Sequence, residues 1–193
     1  MKKIIAMLLA VMLVASMAAC GGNTATTPAT TEAKVEVPAS ALEILEKVWA
    51  DYADEEKFSI IGGNIEANIM DAPGNYDMAY AENLTWNLLV PEDQLPRITE
   101  AASMIHMMNA NTFTCGVFRL QEGTNPAEFA AVMENAVMNN QWMCGFPEDL
   151  LIVTVADTYV VMAFGITDAM SGFTAHLSAV YPDAQTLYSQ KIV

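Results

Sequence analysis

Two short apolar segments, separated by only three residues, constrain the fold of this chain more than any other feature of its sequence. Residues 150–155 and 159–164 are rich in β-branched and aromatic residues, as strands are. The intervening Ala156-Asp157-Thr158 is short enough for a tight turn. The pattern predicts an antiparallel hairpin, and an apolar hairpin needs other elements packed against it.

The segments around this hairpin predict a β-α-β-β-α order for the C-terminal part of the chain. Residues 112–120 have the composition of a strand, and Asn125-Pro126 fits the N-cap and first-turn proline of a following helix. Asp168 is expected to cap a closing helix. The order predicts an α+β fold with a small core sheet, three-stranded or slightly larger and parallel or mixed, and with helices packed on one face.

Two further helices are predicted upstream of this region. Ser40 and Glu43 have the spacing of a capping box, and the apolar residues that follow them predict a helix over about residues 41–53. Residues 92–109 are predicted to be helical because their apolar residues recur at intervals of three and four.

The stretch between these two helices is the least regular part of the sequence. Residues 58–61 predict a short strand that Gly62-Gly63 breaks, and residues 71–75 have the composition of a turn. Residues 80–90 are compatible with a short helix or with extended chain.

The N-terminus predicts export. Lys2 and Lys3 precede an apolar run from Ile4 to Val14, and small residues follow it, which is typical of a secretory signal peptide. The apolar run is too short and wrongly flanked for a stable transmembrane helix.

The end of this segment is similar to a bacterial lipobox. Met17-Ala18-Ala19-Cys20 is followed by two glycines, with Met17 where leucine is more usual. The resemblance implies transfer of diacylglycerol to the Cys20 sulfur and cleavage before Cys20. The alternative is an ordinary signal peptide in which Cys20 is incidental.

Three regions follow from these features. Residues 1–19 are predicted to be a lipoprotein signal peptide, and residues 20–40 the lipidated cysteine and a flexible tether rich in Gly, Asn, Thr, Ala and Pro. Residues 41–193 are predicted to form a single α+β domain. The expected location is the cell membrane, with the chain anchored by lipid on its extracytoplasmic face.

Charge excludes one large class of partner. The chain carries 8 basic and 23 acidic residues, a net charge of −15, and removal of Lys2 and Lys3 with the signal peptide leaves −17. Such a chain repels phosphate backbones, so we expect no nucleic-acid binding. It also lacks a basic surface for anionic lipid head groups, so the membrane is expected to be reached only through the lipid on Cys20.

Several segments between residues 101 and 181 resemble a family of bacterial lipoproteins of unknown function. They are Met104-Ile-His-Met-Met108, the strand Phe113 to Leu120, Glu122-Gly123-Thr-Asn-Pro126 and Asp157-Thr-Tyr-Val-Val-Met-Ala-Phe-Gly165. Members of the family likewise have a lipobox and a low-complexity tether. The resemblance implies a shared fold and a membrane-tethered, extracytoplasmic location, and it brings no catalytic residues.

The residues of nucleophilic catalysis are not arranged in any recognised motif. His106 and His176 are the only histidines, and the sequence contains no Gly-x-Ser-x-Gly elbow. Both histidines are interpreted as ordinary residues of helices, and the protein is not expected to be an enzyme.

The sequence offers two hypotheses for a metal site. Met104, His106, Met107 and Met108 suggest a soft Cu(I) site, but on a helix His106 would lie about 200° around the axis from Met104, so the methionines are interpreted as core residues.

Calcium is the better metal hypothesis, with Asp71, Asp77 and Glu82 as candidate carboxylates in a region rich in oxygen ligands. Their spacing matches no known calcium loop, and a solvated acidic surface explains them as well. No cofactor is expected.

Two cysteines remain besides Cys20. Cys115 and Cys144 either form a disulfide, as an exported pair can, or stay free as small buried apolar residues. Residues 142–147 form an apolar but loop-like segment, which is either an interaction site or part of the core.

These observations favour a non-enzymatic accessory domain that binds an unknown envelope protein. The alternative is a lipoprotein that binds a small ligand or Ca²⁺. An envelope hydrolase is a third hypothesis, supported only by the abundance of acidic residues.

Overall fold

Eight strands, each antiparallel to its neighbours, form one sheet in the computed structural model, which describes residues 37–192. The predicted signal peptide, Cys20 and most of the predicted tether lie outside the described residues. The strands are β1 (Ile60–Gly62), β2 (Ile69–Met70), β3 (Gly74–Asn75), β4 (Ile98–His106), β5 (Phe113–Leu120), β6 (Asp149–Val155), β7 (Tyr159–Gly165) and β8 (Gln185–Lys191). Their order in the sheet is β2-β1-β4-β5-β7-β6-β8, and β3 also pairs with β4.

Four α-helices within the described residues pack on this sheet: α1 (Ala41–Asp51), α2 (Glu82–Leu88), α3 (Pro126–Met138) and α4 (Thr167–Val180). Short 3-10 turns occur at Ile65–Ala67, Met78–Tyr80, Glu92–Arg97 and Asn109–Asn111. None of these helices is long and apolar enough to cross a membrane.

The prediction of a small, three-stranded, parallel or mixed sheet with helices on one face was wrong. All pairings between the described strands are antiparallel, and the helices cover both faces of the sheet. Buried residues of α1 and α4 pack on one face, and those of α2 and α3 pack on the other. Because both faces are covered, every residue of the central strand β7 is buried.

The main cause of this error is β4, which was predicted to be a helix. Pro96 lies in a 3-10 turn that leads into the strand, and Ala101 to Met104 are all buried. A strand covered on both faces has apolar residues at consecutive positions, and in β4 these coincide with helical spacing. For the same reason His106 lies at the end of a strand and not on a helix.

Besides the two-residue strands β2 and β3, the other missed strand is β8, an edge strand that pairs only with β6 among the described strands. Its residues are mostly exposed or half-buried and mostly polar, and a bulge interrupts its pairing between Ile152 and Val153. Strand signals based on apolar alternation are therefore weak here.

Local turn and cap signals were more informative. The predicted hairpin is confirmed, with Val155 paired to Tyr159 across its turn. The side chain of Ser40 accepts a hydrogen bond from the Glu43 N–H at 3.0 Å, and Asn125 caps α3 in the same way. Asp168 does not cap α4, because Glu148 accepts hydrogen bonds from the Thr167 N–H instead.

The irregular stretch is held by a close backbone contact. A Cβ atom on Gly62 would lie 2.1 Å from the Gly74 nitrogen. A side chain at Gly62 would therefore prevent the close approach of these two backbone segments. Gly62 is the last residue of β1 and lies within the sheet. The prediction had placed it after the end of the strand. Residues 82–88 form α2, which terminates at Leu89 in the left-handed region at φ 57°.

The chain enters the domain at one end of the sheet. The Pro38 carbonyl accepts a hydrogen bond from the Tyr159 hydroxyl at 3.0 Å, and the Ala41 N–H donates to Glu100 at 2.9 Å. Tyr159 begins β7, and Glu100 lies near the start of β4. The opposite end of these strands, where residues 106–113 connect β4 to β5 and β7 ends at Gly165, is called the distal end below.

Candidate functional site

An apolar groove opens at the distal end, on the face of the sheet that α2 and α3 cover. It has a volume of about 340 Å³, and its described lining contains no Asp, Glu, Lys or Arg, although it includes the polar residues Asn87, His106, Thr112, Thr114, Asn140 and Gln141. The side chains that give it its apolar character are Trp86, Met108, Trp142, Met143 and Phe164. Trp86, Met108 and Met143 are 77%, 59% and 85% exposed, so large apolar side chains meet water around this groove.

The three exposed apolar side chains of the apolar groove come from separate segments. Leu84 and Leu88 bury one side of α2, which leaves Trp86 on the opposite side of the helix. Met108 belongs to the turn between β4 and β5. Trp142 and Met143 belong to the loop that follows α3.

Trp142 anchors this loop to the sheet. Its ring packs on Phe164 with centroids 5.4 Å apart, and its indole N–H is buried without a hydrogen-bond acceptor. The sequence left two interpretations of residues 142–147, an interaction site or part of the core. In the structure, some of these residues are buried and others are exposed. Trp142 is half-buried and Pro147 buried, whereas Met143 and Phe146 are exposed.

The two cysteines of the domain are free thiols in different environments. Cys115 is buried in β5, and burial raises the pKa of its thiol. Cys144 is exposed and lines the apolar groove. The structure therefore does not join them in a disulfide, and only Cys115 is a buried apolar residue.

A second groove, the histidine groove, opens on the other face of the distal end. It has a volume of about 460 Å³ and its lining includes Tyr52, Glu56, Phe58, His106, Asp168 and His176. Both imidazoles stack on aromatic rings: His176 on Tyr52, with centroids 3.8 Å apart, and His106 on Phe58, at 5.0 Å. Of the two histidines, only His176 lies on a helix, as predicted.

His176 is held between two carboxylates. Its Nδ1 lies 2.8 Å from the Asp51 carboxylate at the end of α1, and its Nε2 lies 3.7 Å from the Glu56 carboxylate. When the Nδ1–H of a neutral imidazole donates to Asp51, Nε2 is a lone-pair acceptor that faces a second acceptor. The Glu56 carboxylate is oriented by the Ala53 N–H, which donates to it at 3.0 Å.

His106 has a different electrostatic environment. Its Nδ1 accepts a hydrogen bond from the Met108 N–H at 2.9 Å, which places the proton of the neutral ring on Nε2. Burial lowers the pKa of His106, which favours the neutral form.

The Tyr52 hydroxyl is the unusual polar group of the histidine groove. Tyr52 is only 4% exposed, and its hydroxyl has no hydrogen-bond partner. It lies beside Gly172, where an added Cβ would be 3.9 Å from the hydroxyl oxygen. Burial, followed by the effects of Cys115 and Glu56, raises the pKa of Tyr52, so this group is a neutral phenol.

The described residues that line the histidine groove supply acids, imidazoles and a phenol. Asp51 can orient the His176 imidazole through its Nδ1 atom. The acceptor atoms of this arrangement could hold a hydrogen-bond donor.

The residues proposed for calcium serve other structural roles. Asp77 accepts from the Ala79 N–H at 2.9 Å and caps a 3-10 turn, Asp71 is an exposed residue between β2 and β3, and Glu82 begins α2. Asn64 is also engaged, since its side-chain oxygen accepts from the Asp77 N–H at 2.6 Å. Across residues 37–192, no three His, Cys, Asp or Glu side chains are grouped so as to hold a metal ion.

The methionines of the copper hypothesis are also separated. Met104 is fully buried in the core, whereas Met107 and Met108 are exposed. Sequence patterns could not place Tyr52, Glu56 and His176 together, because they come from α1, a loop and α4. Comparisons of this chain with protein-family profiles, with curated proteins and with solved structures give no match.

Proposed function

We propose that this protein is a lipid-anchored, extracytoplasmic and non-enzymatic domain that binds a partner protein in its apolar groove. The observation that supports this function is the exposure of Trp86, Met108 and Met143 around a groove without charged lining. Membership of a family of bacterial lipoproteins of unknown function, on the resemblance over residues 101–181, is part of the same proposal.

Exposed apolar side chains gathered around a groove favour an interaction surface over an incidental one. Single exposed apolar residues are common, but clusters of them mark binding sites. Methionine is flexible and polarisable, so a groove edged by Met108 and Met143 can adapt to the side chains of an inserted segment.

The position of the apolar groove favours a protein over the bilayer as its occupant. Pro38 binds Tyr159 at the end of the sheet opposite to the distal end. A tether from a lipid on Cys20 would therefore join the domain at the end of the sheet away from the apolar groove.

The chemistry of the groove and the charge of the chain specify the partner further. A net charge of −15 for the whole sequence favours a segment whose apolar residues are flanked by basic ones. The buried indole N–H of Trp142 lacks an acceptor, which a main-chain carbonyl of the inserted segment would supply.

Site-specific photo-crosslinking in intact membranes tests this function. A photoreactive phenylalanine analogue is placed at Met143, and in a separate protein at Ile65, an exposed residue that does not line the groove. We expect a discrete protein adduct from position 143 that is absent from position 65. The yield of the adduct should fall as salt is added, because basic flanks of the partner are screened.

Matched variants decide whether the adduct depends on the groove. Trp86→Ala should remove the position-143 adduct, whereas Tyr80→Ala, at another exposed aromatic residue, should leave it. Equal labelling from positions 65 and 143, or labelling of lipid alone, would contradict a protein partner in this groove.

A further inference from the structure

We infer that the histidine groove is a binding site for a protonated alkyl amine, whose ammonium group is held between Glu56 and the Nε2 atom of His176. This inference does not depend on the partner proposed for the apolar groove, because Glu56 and His176 do not line that groove and His106 is the only described residue that lines both.

The first argument is the pairing of two acceptors. In the neutral tautomer of His176 that carries its proton on Nδ1 and donates to Asp51, Nε2 and the Glu56 carboxylate face each other at 3.7 Å as two acceptors. A single donor atom placed about 2.9 Å from each would satisfy both. An ammonium group has three N–H donors, which is enough for both acceptors and one more.

The second argument is the electrostatics and shape of the groove around this point. Asp168 lines the same groove as Glu56, and no Lys or Arg is among the described residues that line it. Phe58, Ile166 and Ala169 provide apolar surface for an alkyl chain next to the charged end. A ligand with one cationic end and one apolar end therefore matches the groove.

The third argument is independent of the acidic residues. Tyr52 is a lining residue of the groove, is more than nine-tenths buried, and has a hydroxyl without a hydrogen-bond partner. Buried hydroxyls are normally hydrogen-bonded, and an unpaired one in a groove indicates a missing partner. The third N–H of the ammonium, or water carried with it, would supply this partner.

Calorimetric titration of the full-length chain in detergent tests the inference. n-Butylammonium should bind, and n-butanol, which has the same alkyl chain without charge, should not. Glu56→Gln should weaken binding of n-butylammonium by about tenfold or more, since it removes the charge of one acceptor. Glu55→Gln is the matched control, because Glu55 is exposed and does not line the groove.

Titrations with two amines distinguish a lysine side chain from a free amine as the ligand. Tighter binding of a short blocked peptide with a central lysine would assign the site to a lysine side chain of a protein. Tighter binding of n-butylammonium would assign it to a free amine. Either result requires that the nitrogen resonance of His176 Nε2 shifts on binding.

Three results would overturn the inference. They are the absence of binding by both amines, equal binding of n-butanol and n-butylammonium, and equal weakening by the two glutamate variants. The comparison of n-butylammonium with n-butanol uses the unaltered protein. It therefore tests amine binding even if Glu56→Gln fails to fold.

Discussion

Tyr52, at the end of α1, stacks on His176 of α4 with ring centroids 3.8 Å apart. This contact joins the two helices that cover one face of the sheet, and it places an unpartnered phenol hydroxyl next to an imidazole held by two carboxylates. The pair therefore links the packing of the domain to the groove proposed to bind an amine.

Removal of the Tyr52 hydroxyl should stabilise the protein. A buried hydroxyl without a partner carries an uncompensated desolvation cost, so Tyr52→Phe should raise the free energy of unfolding by about 1 kcal/mol. Tyr159→Phe is the matched control, since it loses a buried 3.0 Å hydrogen bond to the Pro38 carbonyl and should destabilise by about 1 kcal/mol. Urea unfolding measures both, and changes of the same sign would contradict the prediction.

The lowered pKa of His106 should make stability depend on pH. Between that lowered value and the ordinary value of 6.5, the unfolded chain binds more protons than the folded chain. The free energy of unfolding should therefore fall as pH is lowered through this window. The lowered pKa values of Glu43, Glu148 and Asp149 act only below the ordinary pKa values of 4.5 and 3.8 for such groups.

Urea unfolding at a series of pH values from about 5 to 8 checks the role of His106. His106→Asn should flatten the slope below the ordinary histidine pKa, because the variant has no imidazole to protonate at this position. An unchanged slope in the variant would assign the pH dependence to another group.

The two cysteines of the domain should differ in reactivity. Cys144 is exposed, whereas Cys115 is buried and its thiol pKa is raised, so iodoacetamide should modify Cys144 in the folded protein and Cys115 only after unfolding. Peptide mass spectrometry with and without denaturant measures this. Resistance of both thiols until a reductant is added would indicate a disulfide instead.

The cap of α4 should depend on Glu148 and not on Asp168. Glu148 accepts from both the N–H and the hydroxyl of Thr167, at 3.0 and 2.6 Å. Glu148→Ala should therefore lower Tm more than Asp168→Ala, and the loss should be greater above the lowered pKa of Glu148, where its carboxylate is charged. Thermal unfolding compares the two variants, and an equal loss from both would show that Glu148 is not the main cap.

Local signals in the sequence predicted much of the secondary structure. The capping box at Ser40, the Asn125-Pro126 start of α3 and the hairpin at Ala156 to Thr158 depend on residues close together in the chain. Such signals fail where burial on both faces replaces an amphipathic pattern, as in β4, or where an edge strand is polar, as in β8.

The candidate site was less predictable than the fold. Residues 142–147 were recognised as an apolar loop, but Trp86 and Met108, which line the same groove, were not connected with it. His106 and His176 were assigned ordinary structural roles because neither lies in a catalytic motif and the copper hypothesis around His106 did not fit the geometry of a helix. Asp51, Glu56 and Tyr52 approach His176 only when α1 packs beside α4.

The sequence by itself determined the acidic character of the protein, the prediction of an export segment, the caps at Ser40 and Asn125, and the hairpin. All of these depend on composition or on residues within a few positions of one another. Only the tertiary structure decided the size of the sheet, the covering of both faces and the two grooves at the distal end. These features depend on contacts between residues that are far apart in sequence, such as Asp51 and His176, and local patterns do not specify which distant segments will meet.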